Sequence, residues 1–250
     1  MAGHSKWHNI KRRKESQDAK RAKIFTKLSK EIFAAVREGG DDPSTNLRLR
    51  MAITKARAEN IPSDNIERTV KKASGEAGAV DYDEITYEGY GPGGAAVMVK
   101  ALTENKNRTA ADVRHAFSKN GGNLGENGCV SFMFNRKGQL IADRKDEIDE
   151  EEFMLEAIEA GAEDFESDDQ SFYIQTDPDN FEQVKKDLES NNYEFLKAEI
   201  ILFPDTNTAL KDEHAEKMIK MIDALEDNDD VQSVYHNFEA DEEQLSRISY

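Results

Sequence analysis

Hydrophobic positions along the chain change their period after about residue 80. From about 16 to 38, Ile24, Leu28, Ile32 and Val36 recur every fourth residue with Phe25 and Ala35 beside them. That spacing predicts one long helix, ended by Gly39-Gly40. Asp42-Pro43 reads as an N-cap and first-turn pair. It would open a second helix running to about Asn60, with Leu47, Met51 and Ile53 inward and Arg48, Arg50, Lys55 and Arg57 outward. Ile61-Pro62-Ser63 opens a third helix through Lys72, Gly75 closes it, and 76–81 reads as a linker. Residues 1–15 carry no sustained apolar period and read as an extended arm.

Alternation then takes over. Strands are predicted at 84–88 and 95–103, a helix at about 108–119, and a strand through Val130, Phe132 and Phe134. A fresh set follows: strand 139–142, helix 150–160, strands 164–167 and 171–176, helix 179–190 and strand 196–202. That order, βαββαβ, is the ferredoxin-like unit. After Pro204 a helix (about 211–226) and a strand (231–238) remain. Adding them to the ββαβ of 84–134 completes a second sheet. The predicted fold is α+β: a three-helix domain with a basic arm (1–78), then two ferredoxin-like α/β domains. One of these (136–204) is inserted into the other (79–135 plus 205–240).

Charge sharpens this division. The chain's net charge is -17, yet residues 1–75 hold 18 Lys+Arg against 9 Asp+Glu, and the rest hold 16 against 42. Such polarity assigns the two ends different partners: the basic end can meet polyanions, while the acidic body repels them. No apolar run is long enough to span a membrane, and the basic start is not followed by the apolar stretch of a secretory signal. The single cysteine, Cys129, fits a reducing cytoplasmic setting.

Candidate chemistry follows the charge. In the arm, His4, Lys6, Trp7, His8, Lys11, Arg12, Arg13 and Lys14 combine cations with rings that can stack on bases. On the first helix, Lys20, Lys23, Lys27 and Lys30 fall within one quadrant, roughly opposite the apolar positions. A solvated face is the plain alternative, but this one is of a single sign and continues the arm. Lys106 and Arg108, near Lys100 and Arg114, form a smaller basic spot; Asn107 or Thr109 there could simply cap the helix.

Other motifs carry less. His4 and His8 have metal-ligand spacing but no third ligand nearby. Gly89-Tyr90-Gly91-Pro92-Gly93-Gly94 matches the dinucleotide fingerprint in letters only, because the residues after it read as strand rather than helix. A tight hairpin, or a loop that lets a partner approach the backbone, explains it instead. Cys129 reads as a small core residue. No nucleophile, base and orienting group come together, so the expectation is a non-enzymatic protein without cofactor, metal or small-molecule substrate.

Three stretches resemble the YebC/PmpR family over essentially the whole chain. They are AGHSKWHNIKRRKESQDAKRAKIFTKLSKEI at the start, GYGPGG, and NKNRTAADVRHAFSKNGGNLGENGCVSFMF. That family is related to a mitochondrial translational activator of cytochrome oxidase. The resemblance implies a helical amino-terminal domain, two α/β domains with one inserted in the other, and a cytoplasmic protein. It supports nucleic-acid contact around His4, Lys6, Trp7, Lys11, Arg12 and Arg13, and supplies no catalytic residues. Two functions are implied: a DNA-binding transcriptional regulator at promoters, the usual description, or a ribosome-associated translation factor on ribosomal RNA that eases elongation through proline-rich stretches.

Overall fold

The structure, a computed structural model, describes residues 17–75 and 80–239, with side chains of the first helix from Ala22 onward. Its architecture is α+β. In chain order the main elements are α1 (Gln17–Gly39), α2 (Leu47–Ala58), α3 (Ser63–Ser74), β1 (Asp83–Tyr90), β2 (Ala96–Thr103), α4 (Lys106–Lys119), β3 (Asn123–Leu124), β4 (Phe134–Asp143) and α5 (Glu150–Ala160). There follow β5 (Asp164–Ser167), β6 (Ser171–Thr176), α6 (Phe181–Ser190), β7 (Phe195–Pro204), β8 (Thr208–Ala209), α7 (Asp212–Glu226), β9 (Val231–His236) and β10 (Phe238–Glu239). Two compact units result: residues 132–207, and the residues on either side of them in sequence.

The flanking unit begins with the three helices. Leu28, Ile32 and Val36 of α1 meet Leu49, Ala52 and Ala56 of α2 and Ile66 and Ala73 of α3 in one core. Here the expected start of the second helix is corrected. Asp42-Pro43 does not open it; the Asp42 carboxylate accepts from the Ser44 N–H at 2.8 Å and its carbonyl from Asn46 N–H at 2.9 Å, making a turn. Asn46 is the cap: its Oδ1 accepts from Leu49 N–H at 3.0 Å, and its Nδ2 donates to the Ala35 and Gly40 carbonyls, both at 2.7 Å. A helix phased from Asn46 buries Leu49 and two alanines against α1. Leu47 and Met51, expected inward, are 57% and 37% exposed.

The sheet of this unit has the order β3-β1-β2-β9, with β1 and β2 antiparallel from Asp83↔Thr103 to Tyr90↔Ala96. The glycine run is the hairpin turn between them. Gly93 (φ 70°) and Gly94 (φ 85°) take up left-handed backbone, which glycine alone adopts freely. The helices α4 and α7 share a core with the sheet, centred on Val97, Val99, Phe117, Met218, Ile222 and Val234.

The strand expected through Val130, Phe132 and Phe134 does not exist as one piece. Ser131–Met133 is a single 3-10 turn and Phe134 already belongs to β4; the third strand is the short β3. The cause is a carboxylate. Glu88, 6% exposed, accepts the N–H groups of Gly128 (2.8 Å), Val130 (3.0 Å) and Ser131 (2.8 Å), and three donors turned toward one side chain cannot pair in a ladder. Burial opposes the charge of Glu88, but these N–H groups outweigh it and hold its carboxyl below the usual range.

The 132–207 unit has the element order βαββαβ and sheet order β5-β6-β4-β7, every pair antiparallel. It is ferredoxin-like. Leu140, Phe153, Phe172, Ile174, Val184 and Leu188 form the core between sheet and helices.

Candidate nucleic-acid interface

The cationic side chains of α1–α3 fall into two groups, separated by what they touch. The first lies on α1. Lys23 Nζ is 2.6 Å from the Asp227 carboxylate, Lys27 Nζ donates to the Glu226 carbonyl at 2.7 Å, and Lys30 Nζ donates to the Asp229 carbonyl at 2.9 Å and the Asp230 carboxylate at 2.6 Å. The expected open lysine face therefore rests on the acidic turn that joins α7 to β9. Lys30 and Asp230 are 13% and 5% exposed as side chains.

Asp230 gathers this junction. Besides Lys30, its carboxylate accepts from Arg108 (2.7 Å), Thr109 (2.8 Å) and Thr103 (3.2 Å). Burial alone would raise its pKa, but Lys30, Arg108 and Thr109 more than offset that and lower it to about 2. Arg108 is thus paired, as is Lys106, 2.9 Å from Asp83. The helix they begin is capped by Asn105, whose Oδ1 accepts from Arg108 N–H at 3.1 Å, rather than by Asn107 or Thr109. Arg48 is likewise consumed, by Glu31 (2.9 Å), Glu38 (2.6 Å) and Glu84 (3.1 Å).

The second group lies on α2 and α3. The α2 helix carries Arg48, Arg50, Lys55 and Arg57 and no acid. Among the described residues Arg50 donates to the carbonyls of Pro43 and Ser44. Among the described residues Arg57, Arg68, Lys71 and Lys72 form no ion pair, and all four are exposed. With about 100° per residue, Arg50 and Arg57 lie nearly in line along α2, beside the exposed Leu47, Met51, Thr54 and Ala58. Sequence reasoning placed these arginines outward but did not count them as site residues. The signal was there: a helix of four bases without an acid, adjoining a basic arm.

His4, Lys6, Trp7, His8, Lys11, Arg12, Arg13 and Lys14 lie outside the described residues, as does the Lys20 side chain. No group of His, Cys, Asp and Glu able to hold a metal is found among the described residues, and none of their helices is long and apolar enough to cross a membrane. Cys129 is half-buried, and burial together with Glu88 pushes its thiol up, away from the reactive thiolate. Its carbonyl accepts the Tyr90 hydroxyl at 3.0 Å.

Fold and charge together define a class of protein: a cationic helical amino-terminal region followed by acidic, sheet-bearing α/β units, one lying within the sequence of the other. Family models divide the chain at the end of that helical region. Residues 5–76 match the TACO1/YebC protein N-terminal domain and residues 82–238 match the TACO1/YebC second and third domain. The chain belongs to the TACO1/YebC family. It is 59% identical over 240 residues to a probable transcriptional regulatory protein of Geobacillus kaustophilus (strain HTA426), covering 96% of this chain and 98% of that one. A probable transcriptional regulatory protein of Clostridium botulinum (strain Okra / Type B1) is 57% identical over 239 residues, 96% and 97% of the two chains. The crystal structure of a conserved hypothetical protein from Aquifex aeolicus superposes with a TM-score of 0.82 at 47% identity, covering 91% and 93%.

Proposed function

We propose that the protein regulates gene expression without catalysing a reaction, by binding nucleic acid through its amino-terminal region. The interface comprises the arm (His4 to Lys14) and the exposed cationic faces of α2 and α3. One observation carries this reading: the fold pairs Lys23, Lys27 and Lys30 of α1 and Lys106 and Arg108 at the start of α4 with carboxylates and carbonyls, yet leaves Arg57, Arg68, Lys71 and Lys72 exposed and without ion pairs among the described residues. Exposed cations of one sign attract phosphate and make binding depend steeply on salt.

Folded ribosomal RNA is the target we favour. An arm mixing lysines, histidines and Trp7 can contact phosphates and stack on unpaired bases of a folded RNA. The acidic remainder of the chain would be repelled along an open duplex. The protein then acts in the cytoplasm as a ribosome-associated translation factor, easing elongation at proline-rich stretches as its resemblance to the family implies. Promoter DNA is the second reading, favoured by the relatives' names. Under it, the Arg50 and Arg57 side of α2 would face a groove.

Crosslinking the tagged protein in growing cells, then sequencing the RNA and DNA recovered with it, separates the two. Discrete ribosomal RNA positions that disappear when residues 2–15 are deleted support the translation reading. Discrete promoter peaks over background RNA would replace it with the transcriptional one, and recovery of neither would overturn the nucleic-acid reading altogether.

A further inference from the structure

The 132–207 unit presents a surface of the opposite kind. On α5, Phe153 and Ala157 face the core. The opposite side carries Leu155 and Ile158, 58% and 55% exposed, with Met154 at 36%. Spacings of three and four residues put these side chains together on about one and a half turns of helix. Large apolar side chains grouped in water are costly, and such patches mark contact surfaces.

What surrounds the patch selects the partner. Residues 146–169 contain thirteen acids and no Lys or Arg. Several have evident structural work. Asp149 caps α5 through Glu152 N–H at 2.9 Å, Glu150 binds Arg144 and Ser167, and Glu156 accepts from Asn191 at 2.8 Å. Glu151, in the first turn of α5, and Glu159 have no such partner: both are exposed and form no ion pair among the described residues. On the helical projection Glu151 falls between Met154 and Leu155, and Glu159 lies beyond Leu155. Exposed acids without an ion pair among the described residues therefore border the apolar patch.

We propose that the outer face of α5 is a docking surface for a partner protein that presents a cationic amphipathic helix. Apolar side chains of the partner at helical spacing cover Leu155, Ile158 and Met154, and its flanking Lys or Arg side chains meet Glu151 and Glu159. The charge complement fixes this choice. Nucleic acid and anionic membrane are repelled by the excess of carboxylates along 146–169, and two copies of this face repel each other. An eleven-residue helix offers a small contact, so the complex is weak and transient. The inference does not depend on the nucleic-acid reading, since it concerns a separate unit and an opposite charge.

The test uses the full-length chain, labelled for amide NMR, and a designed helical peptide with leucines along one face and lysines and arginines elsewhere. A matched peptide with glutamates in place of the bases is the control. The expected result is saturable shift changes confined to α5 and its neighbours, produced by the cationic peptide alone. Affinity should fall about tenfold or more in Leu155→Ser/Ile158→Ser, from lost apolar contact. It should also fall severalfold in Glu151→Gln/Glu159→Gln, whose binding becomes less sensitive to salt. Both variants alter exposed positions, and unchanged shifts in the rest of the spectrum verify the fold. The proposal is overturned by shifts elsewhere on the chain, by equal binding of the control peptide, by no binding, or by wild-type affinity in both variants.

Discussion

The helices α1 and α2 carry similar basic sequences and put them to opposite uses. On α1, Lys23, Lys27 and Lys30 reach an acidic turn some 200 residues away in sequence and fasten the helical region to the β9 sheet. On α2, Arg50 and Arg57 turn away from the core beside exposed Leu47 and Met51. Positive charge in a sequence is therefore ambiguous until its carboxylates are located. The same kind of charge is a bolt where an acid waits in the fold, and stays open to solvent where none does.

The largest effect should come from breaking the bolt. Replacing Asp230 with alanine leaves Lys30 and Arg108 without their shared carboxylate; removing one partner of a fully buried pair costs about 3–5 kcal/mol and of an exposed one about 0–1, so this part-buried junction should lose about 2–4 kcal/mol. Urea denaturation of Asp230→Ala should show a loss of that order; a loss under about 1 kcal/mol would mean that the junction contributes little. Glu88→Ala comes next. It strands the buried Val130 N–H, at about 1–3 kcal/mol, while the part-buried N–H groups of Gly128 and Ser131 can turn to water. Faster amide exchange confined to 125–131, with the α1–α3 amides unaffected, is the expected signature.

Acid should reproduce the first effect in part. The Asp230 carboxyl is held at about 2, below its ordinary 3.8. A lowered folded-state pKa gives stability that is present above pH 4 and is lost as pH falls from about 4 to about 2. Asp230→Asn should show less of that acid-induced loss than wild type; identical pH profiles would remove Asp230 from the account. The smallest effect belongs to the rim of the same junction. Lys23 and Asp227 are 43% and 75% exposed, so Lys23→Ala should cost only about 0–1 kcal/mol. A cost matching that of Asp230→Ala would erase the distinction between buried and exposed pairs.

Much of the architecture was legible because it is written in short-range periodicity. The four-residue spacing of α1, and the strand and helix order of 139–202, reappear with shifts of a few residues at the element ends. What escaped depends on distant or small partners. Leu47 and Met51 looked like core because they are large, whereas α2 packs closely through Ala52 and Ala56. The 130–134 alternation looked like a strand because nothing local reveals that Glu88, some forty residues earlier, claims its N–H groups. The lysine face of α1 was visible as a pattern; its acidic cover was not, since 226–230 reads alone as an ordinary solvated turn. On the interface itself, the outward arginines of α2 could be seen, but the contrast with α1 that singles them out required the fold.

The central claim is tested most directly by titrating the full-length protein against a ribosomal RNA hairpin and a mixed-sequence DNA duplex at several salt concentrations. Wild type should be compared with Arg50→Gln/Arg57→Gln. The account predicts that the double variant keeps wild-type stability, binds about ten- to a hundredfold more weakly, and loses about two from the slope of log affinity against log salt. Unchanged affinity and slope in a well-folded variant, or no binding by the wild-type chain, would contradict it.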